Sequence, residues 1–256
     1  MKFSFCKIIQ KNRRAFSFLA IALALVIIAS NDAVGRPLGK PLGKVSQLRI
    51  MPLGDSITWG NGSTDASGYR SHLYAALTGL GVEVNMVGSV SAGKFAQPEN
   101  EGHGGWMIPQ LMGHIDEWMK VQPEVVLLMG GTNDLIWGPN PTVNIPLNLV
   151  QLIDRIQARQ PGVIVLVAQI TPLNGDYQPQ DKKLIVANAG IVKAVQAMPN
   201  YERSIFLVDQ HTGYPTGAMP DGVHPNDTGY KFMSRIWLTK LKALYDFPNP
   251  LKSSDY

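Results

Sequence analysis

The sequence has very little cysteine. Its 256 residues include only one, Cys6, which lies in an N-terminal segment that we expect to be removed. A chain without Cys6 has no disulfide framework, no thiol nucleophile and no cysteine-ligated zinc site. Cys6 also precedes the neighbouring apolar run, whereas the cysteine of a lipoprotein would follow it. We therefore expect any chemistry to depend on oxygen and imidazole groups.

The apolar run near the N-terminus is too short for a membrane span. Ala15–Ala29 contains 15 residues and is apolar at every position except Ser17, whereas a transmembrane helix needs about 18 to 20. Five basic residues precede the run: Lys2, Lys7, Lys11, Arg13 and Arg14. A basic stretch followed by an apolar run is typical of a secretory signal peptide.

We therefore expect residues 1–35 to be a signal peptide. Ala33-Val34-Gly35 provides a cleavage site after Gly35, and Ser30 is an alternative. This predicts a secreted, extracellular protein without a stable membrane anchor. A protein that keeps the segment would be held at the cell surface.

The sequence also lacks a basic surplus outside this segment. The whole chain has 23 Lys and Arg against 19 Asp and Glu. The first 35 residues hold five of the basic residues and one acidic residue, Asp32, so the remainder holds 18 of each. Nucleic-acid binding needs basic residues clustered on the surface, and we expect no nucleic-acid partner.

The rest of the chain is predicted to be one globular domain. Hydrophobic residues make up 45% of the sequence and charged residues 16%, which is enough apolar material for a large core. Residues 36–44 repeat Pro-Leu-Gly-Lys, and Pro and Gly in close alternation indicate a linker. Residues 45–256 form the predicted domain, which we expect to be a monomer.

Strand and helix patterns alternate through this domain. Short Val, Ile and Leu runs predict strands at 45–53, 82–87, 124–129, 163–168 and 204–208. Amphipathic patterns predict helices at 68–80, 106–120, 142–160, 181–198 and 226–245. This alternation predicts an α/β fold with a parallel sheet and helices on both faces. Ligands of such sheets bind beyond the carboxyl ends of the strands, at the loops 54–60, 89–105, 130–138, 169–180 and 209–225.

Ser56 is the candidate nucleophile. It follows the first predicted strand in Gly54-Asp55-Ser56, where a glycine-containing turn would expose its hydroxyl group. A serine hydroxyl needs a base that takes its proton. The alternative is that Ser56 only caps a helix, which is a common role of serine.

His224 is the candidate base. Histidine as a residue type can accept and return a proton near neutral pH, and Asp221 lies three residues earlier in Asp221-Gly-Val-His224. In a compact loop, the Asp221 carboxylate can orient the ring. The alternative is a turn that carries a surface histidine. His103 is a rival base that the sequence favours less.

Two glycine-rich loops offer hydrogen-bond donors. The Asn133 side chain, in Gly131-Thr-Asn133-Asp134, carries an NH₂ group that can stabilise an oxyanion, or it belongs to a local turn or helix cap. Glycines in Glu101-Gly-His-Gly-Gly-Trp106 offer backbone N–H groups for the same role, or form a flexible loop. No G-x-S-x-G elbow occurs in the chain, which argues against an α/β-hydrolase.

These four loops together resemble the SGNH (GDSL-like) hydrolases. The matching blocks are Gly54-Asp-Ser56, Gly104-Gly-Trp106, Gly131-Thr-Asn-Asp134 and Asp221-Gly-Val-His224, in this order. Three longer strings are similar to carbohydrate esterase family 3, which contains acetylxylan esterases: Met51-Pro-Leu-Gly-Asp-Ser-Ile-Thr-Trp-Gly60, Glu101-Gly-His-Gly-Gly-Trp106 and Asp221-Gly-Val-His-Pro225.

The resemblance implies a role for each matching residue. Ser56 is the nucleophile, His224 the base and Asp221 its orienter. The oxyanion hole is formed by the Ser56 N–H, the Gly105 N–H, with Gly104 as the neighbouring alternative, and the Asn133 side chain. The implied fold is a three-layer α/β/α flavodoxin-like (SGNH) fold with a five-stranded parallel sheet, and no metal or organic cofactor is implied.

Three tryptophans on these loops are candidate substrate-binding residues: Trp59, Trp106 and Trp137. Aromatic faces at the mouth of a site can stack on sugar rings, although local packing is the more common fate of tryptophan. Trp118 and Trp237 lie on predicted helices and are expected in the core. Asp55 and Asp134 are expected to hold loops together. Asn61 and Asn226 fit the N-glycosylation pattern, to which we give little weight because a glycan there would crowd the site.

The sequence therefore predicts a secreted serine esterase that removes acetyl groups from a carbohydrate, with acetylated xylan as the favoured substrate. One alternative is the same chemistry on another ester, such as a lysophospholipid or a thioester, because the motifs describe catalysis and not the acyl pocket. Another is a non-catalytic carbohydrate-binding protein. The presence of Ser56, Asp221 and His224 together argues against this last alternative.

Overall fold

The computed structural model describes residues 42–249. The predicted signal peptide and residues 36–41 of the predicted linker lie outside this range. Residues 42–45 run beside the end of the last helix. The Val45 N–H donates to the Asp246 carbonyl at 3.1 Å, and the Asp246 N–H donates to the Gly43 carbonyl at 3.0 Å.

Seven strands form one mostly parallel sheet in the described part of the chain. They are β1 (Gln47–Gly54), β2 (Glu83–Met86), β3 (Val90–Ser91), β4 (Glu99–Gly102), β5 (Val125–Met129), β6 (Ile164–Ala168) and β7 (Ile205–Val208). The main path is β3-β4-β1-β5-β6-β7, and β2 also pairs with β1. The five predicted strands are confirmed as β1, β2, β5, β6 and β7, and the pairs among them are all parallel.

The short strands β3 and β4 were not predicted. β2 pairs with the first half of β1, which leaves the backbone of Leu53 and Gly54 for β4 to pair with. β3 then adds to β4 in the antiparallel direction. Both are polar strands of two to four residues, so they carry no apolar run from which a strand is predicted.

Seven α-helices occur in the described range. They are α1 (Ser56–Trp59), α2 (Gly68–Gly79), α3 (Ile108–Trp118), α4 (Thr132–Trp137), α5 (Pro141–Arg159), α6 (Asp181–Gln196) and α7 (Asp227–Leu244). The five long helices confirm the predicted ones to within two residues, and Pro109 lies in the first turn of α3 as expected. None of the helices described between residues 42 and 249 has both the length and the apolar character to cross a membrane.

Helix α4 corrects the predicted loop at residues 130–138. It is six residues long, too short to show a helical period, and the glycines before it indicate a turn. Two further 3₁₀ segments, Met119–Val121 and Gly175–Gln180, follow α3 and precede α6.

The helices cover both faces of the sheet, so the predicted three-layer architecture is confirmed. Side chains of α2 and α7 pack with Leu48, Ile50 and Leu127 on one face. Side chains of α3, α5 and α6 pack with Met51, Leu53 and other residues on the opposite face. Alternate residues of each central strand therefore enter different halves of the core. The polar groups of the candidate site lie beyond the carboxyl ends of these strands.

Candidate active site

Ser56 lies at the first position of α1, directly after β1. The turn is tight because a Cβ on Gly54 would lie 1.9 Å from the Met129 carbonyl oxygen. Asp55 caps the helix, since its Oδ1 accepts a hydrogen bond from the Ile57 N–H at 3.0 Å. Ser56 is therefore not the cap, and its hydroxyl group is available for another partner.

That partner is His224. The Ser56 Oγ lies 2.9 Å from the His224 Nε2, although the two residues are 168 positions apart in the chain. The opposite ring nitrogen, Nδ1, lies 2.6 Å from the Asp221 Oδ2. The structure thus joins the three predicted residues in a continuous series of hydrogen bonds. This is the geometry of a serine nucleophile with its base and the orienting carboxylate.

Asp221 is held by the turn that it forms with His224. Its Oδ1 accepts the Val223 N–H at 2.9 Å and the His224 N–H at 2.7 Å. Partial burial disfavours the charged carboxylate, but the bonds from the backbone and ring of His224 and from the Val223 N–H outweigh it. The net result is a lowered pKa of Asp221, so the group is charged near neutral pH and stabilises a protonated ring.

Asn61 is a site residue that the sequence analysis missed. Its Nδ2 lies 3.2 Å from the His224 Nε2, the nitrogen that also contacts Ser56. The only sequence signal at this position was a glycosylation pattern, which says nothing about a contact with a residue 163 positions away.

The glycine loop follows β4 and runs past Ser56. The His103 N–H donates to the Gly54 carbonyl at 2.9 Å, which ties the loop to the end of β1. A Cβ on Gly104 would lie 3.9 Å from the Ser56 Cβ. Gly105 has a φ of +78° and open space around it, a conformation that favours glycine. Gly104 therefore lies beside Ser56, and Gly105 follows it in an open part of the loop.

His103 is occupied by contacts within its own loop. Its Nε2 lies 2.9 Å from Oε2 of Glu101, a buried residue that also binds Ser89. The imidazole ring stacks on Trp106 and Trp118 with centroid separations of 4.4 and 4.6 Å. This arrangement fixes the start of the glycine loop, and it favours a structural role for His103 over that of the rival base.

Asn133 connects the glycine loop to the start of α4, the helix that follows β5. It is the second residue of α4 and makes no capping bond there, so the turn and cap alternatives do not apply. Its Nδ2 donates to the Trp106 carbonyl at 2.9 Å. An amide NH₂ has two hydrogens, and the second one remains for a ligand.

Two buried carboxyl groups hold these loops, as expected. Asp134 Oδ2 accepts the Ile108 N–H at 3.0 Å, at the start of α3, and burial raises the pKa of Asp134. Asp55 is fully buried, and burial raises its pKa to about 6 despite the hydrogen bond from the Ile57 N–H. Both carboxyl groups accept hydrogen bonds from backbone N–H groups. This explains why an acidic residue stands next to Ser56 and another next to Asn133.

Arg70 lies on α2 and anchors the carboxyl-terminal end of α1. The side chain is fully buried, and its five N–H groups all donate to backbone carbonyls at 2.8 to 2.9 Å: those of Thr58, Trp59, Ala66, Ala92 and Pro98. Burial lowers the pKa of this guanidinium to about 10. Since helix ends leave carbonyls without intrahelical partners, Arg70 completes the short helix that carries Ser56.

The three candidate substrate-binding tryptophans differ in exposure. Trp137 is 68% exposed and Trp59 is 37% exposed, so both side chains are open to solvent. Trp106 is half-buried in the stack with His103 and has a clear packing role. Trp118 and Trp237 are buried, which confirms their expected place in the core.

No metal centre is evident in the part of the chain that the structure covers. Among residues 42–249, no group of three or more His, Cys, Asp or Glu side chains is placed to hold a metal ion. His114, for example, tilts against Trp106 with a centroid separation of 5.0 Å.

A serine, a histidine and an aspartate are linked in this way at the carboxyl edge of a parallel sheet, an arrangement that recurs in serine hydrolases of several folds. A family model described as GDSL-like Lipase/Acylhydrolase matches residues 53–232. Because this match covers more than half of the chain, the chain belongs to that family, and it is a carboxylic ester hydrolase.

The chain is also similar to proteins of known name. The Multidomain esterase of Ruminococcus flavefaciens is 27% identical over 266 residues, a match that covers 93% of this chain and 33% of that protein. The chain thus spans about a third of the length of this curated relative.

Solved structures give the same likeness. The Clostridium thermocellum family 3 carbohydrate esterase is 31% identical, with a TM-score of 0.65, over 78% of this chain and all of that one. A carbohydrate esterase family 3 protein from Talaromyces cellulolyticus is 27% identical, with a TM-score of 0.66, over 76% of this chain and 96% of that one. The resemblance read from the four sequence blocks is therefore confirmed.

Proposed function

We propose that this esterase removes acetyl groups from a carbohydrate, with acetylated xylan as the favoured substrate. The observation that carries the proposal is the unbroken chain from the Ser56 hydroxyl through His224 to Asp221. The similarity of the protein to family 3 carbohydrate esterases supports a sugar ester as the substrate.

In the first half of the reaction, the Ser56 Oγ attacks the acetyl carbonyl carbon while the His224 Nε2 takes the hydroxyl proton. The carbonyl oxygen becomes an oxyanion. His224 then gives the proton to the sugar oxygen as the carbon–oxygen bond breaks, which leaves an acetyl group on Ser56. Water repeats the cycle and releases acetate.

The oxyanion is stabilised by donors from three loops in this proposal. They are the Ser56 N–H, the Gly105 N–H, with Gly104 as its neighbour, and the free amide hydrogen of Asn133. Donors fixed before the reaction stabilise the developing charge without rearrangement. The bond from Asn133 to the Trp106 carbonyl supports this assignment, because it holds two of the three loops together.

Acetate release from acetylated xylan and other acetylated polysaccharides tests the proposal. Ser56→Ala should lower kcat by at least about 1,000-fold, as loss of a triad nucleophile does. Ser71→Ala, a substitution on α2, serves as the control and should retain activity. Acetate release by Ser56→Ala at the wild-type rate would contradict the assignment, and fluorophosphonate labelling of Ser56 separates an active site from a binding protein.

The acyl specificity needs its own measurement, because the family description covers lipases and acylhydrolases alike. We expect p-nitrophenyl acetate to be the best substrate in a series of increasing acyl chain length. Activity that rises toward long acyl chains would favour a lipase-like or thioesterase function instead.

We also propose that the enzyme acts outside the cell, on the basis of the basic and apolar segment before residue 36. Expression of the full chain in a host that exports proteins, followed by N-terminal sequencing of the protein in the medium, tests this. A start near Arg36 supports cleavage after Gly35. Retention of the intact chain in the cytoplasm contradicts secretion.

A further inference from the structure

We propose that Asn61 is a specificity residue that holds the departing alcohol, by donating a hydrogen bond to its oxygen or to a neighbouring hydroxyl group. The inference rests on the proposed function, since it assigns a substrate contact to the same site. It comes from the contact between the Asn61 Nδ2 and the His224 Nε2.

The position of Asn61 is set by its backbone. Its N–H donates to the Ser56 carbonyl at 3.0 Å, and its carbonyl accepts the Tyr230 hydroxyl at 2.6 Å. The next residue, Gly62, lies so close to the base loop that a Cβ there would be 2.6 Å from the Pro225 carbonyl oxygen and 3.1 Å from the His224 Cβ. The Asn61 side chain is therefore directed to His224 by a fixed backbone.

The same nitrogen of His224 must meet the departing alcohol. A general acid transfers its proton over a hydrogen-bond distance, about 2.6 to 3.2 Å between heavy atoms. The Asn61 Nδ2 is itself 3.2 Å from this nitrogen. An alcohol oxygen that reaches Nε2 on the side of Asn61 therefore comes within hydrogen-bond reach of its amide.

The protonation cycle also requires a new partner for Asn61. A neutral Nε2 has one lone pair, which the Ser56 hydroxyl and the Asn61 N–H share. Once Nε2 has taken the proton from Ser56, it is a donor and can accept nothing from Asn61. The Asn61 N–H then turns to an acceptor beside Nε2, which is the sugar oxygen or its neighbour. Asn61 gains and loses no proton in this step.

This contact favours alcohols that carry polar groups next to the ester. A sugar offers such hydroxyl oxygens, whereas p-nitrophenol offers none next to the scissile bond and leaves without needing a proton. Asn61 should therefore matter for sugar esters and for other polyol esters, and hardly at all for p-nitrophenyl acetate.

The test compares kcat/KM of Asn61→Ala and wild type on acetylated xylo-oligosaccharide, glycerol monoacetate and p-nitrophenyl acetate. We expect about a 5- to 10-fold loss, the effect of one hydrogen bond, on the first two esters and less than about twofold on the third. Asn61→Asp, which fills the same space without the N–H donors, should lose as much as Asn61→Ala on the two polyol esters.

Ser63→Ala is the matched control. It removes the glycosylation pattern at Asn61 and the bonds of the Ser63 hydroxyl to Gly60 and Gly68 but keeps the Asn61 amide. Any effect of the lost loop bonds should be the same on all three esters, so the ratio of activities should be preserved. A glycan on Asn61 of the wild type would instead appear as increased activity of Ser63→Ala.

Two outcomes would overturn the inference. An equal loss on all three esters would mean that Asn61 only orients His224, and no loss on any would mean that the contact has no function. Glycerol monoacetate separates this test from that of the proposed function. If wild type cleaves glycerol monoacetate but no acetylated polysaccharide, the proposed substrate is wrong while the role of Asn61 is still measured.

Discussion

Ser56 and His224 meet from two regions that are built in different ways. The nucleophile region, residues 54–60, is anchored by buried groups: Asp55 and Arg70 are both fully buried. In the base region, residues 209–225, the side chains of His224 and Asp221 are 20% and 55% exposed. The turn that carries both side chains, residues 221–224, is held by local bonds from the Val223 and His224 N–H groups to Asp221, while the Val223 side chain packs in the core.

Because of this difference, we expect substitutions in the two regions to affect different quantities, the free energy of unfolding in one and the activity in the other. Long-range anchoring makes the nucleophile region part of the core, so changes there should cost folding free energy. The turn at residues 221–224 lies near the surface, so changes to the Asp221 and His224 side chains should cost activity and little folding free energy. The predictions below test this division, beginning with the largest effect.

Asp221→Asn should have the largest effect. The amide oxygen can still accept the turn bonds, but the charge that stabilises a protonated His224 is lost, and we expect kcat to fall about 10,000-fold. The melting temperature should change by less than about 4 °C, the shift that 1 kcal/mol produces in a domain of this size. The measurements are kcat on p-nitrophenyl acetate and a calorimetric melting curve.

Asp209→Asn is the control for this prediction. Asp209 forms a similar turn in the same region, where its Oδ1 accepts the His211 and Thr212 N–H groups, but it has no bond to His224. It should retain kcat. A kcat of Asp221→Asn within tenfold of wild type would show that the base works without its orienter.

Arg70→Met should reduce the free energy of unfolding by about 3 to 5 kcal/mol. The substitution leaves buried carbonyls without donors, and such losses are among the most destabilising. Urea unfolding measures the change, and Arg235→Met, at an exposed position on α7, is the control. A loss below about 1 kcal/mol, the typical value for one hydrogen bond, would mean that the nucleophile region is not anchored through Arg70.

Asp55 should make stability fall as pH rises. Its pKa is raised from 3.8 to about 6 in the folded state, so the folded protein binds more protons than the unfolded chain between these values. The free energy of unfolding should therefore decrease from pH 4 to 7, by up to about 3 kcal/mol. Asp55→Asn removes this contribution.

The measurement is the difference in unfolding free energy between Asp55→Asn and wild type at pH 4 and at pH 7. We expect the variant to gain relative to wild type at the higher pH. Asp154→Asn, at an exposed position of α5, should show no such trend. A difference that stays constant with pH would indicate that Asp55 remains charged in the folded protein.

Thr64→Val should have the smallest effect, since it breaks an exposed link between the segments that follow the two regions in the chain. The Thr64 N–H and hydroxyl group both bind Asp227, at the start of α7, and these bonds lower the pKa of Asp227. Loss of the hydroxyl bond should cost about 0.5 kcal/mol, as for exposed pairs, and leave kcat unchanged. Thr239→Val, which loses only a bond to its own helix, is the reference in urea unfolding, and a tenfold fall of kcat would show that the link also aligns the site.

The sequence predicted the elements whose pattern is local. β5 and β6 are continuous apolar runs, and a run of this kind indicates a buried strand by itself. The meeting of Ser56 with His224 also followed from the sequence, because the carboxyl ends of parallel strands lie along one edge.

The remaining features depend on contacts that no local pattern records. Arg70 follows Tyr69 on α2, and an arginine is expected to face solvent unless it is paired. Its five carbonyl partners come from the end of α1 and from loops at residue 66 and in the segment 92–98. Asn61 gave only a glycosylation pattern. In both cases the role of the residue depends on the position of a distant backbone segment. The periodicity of a single sequence carries no information about that position.

The pairing of residues 42–45 with the end of α7 has a consequence for engineering. α7 begins three residues after His224 and is 18 residues long, so it ends about 27 Å away along its axis. Both ends of the described domain therefore emerge together at the edge opposite the catalytic groups. A short peptide joining residue 249 to residue 42, with new termini at the exposed Pro161-Gly162 turn, should yield a circular permutant that still hydrolyses esters. Fusion partners attached at residues 42 and 249 should likewise leave the substrate path open.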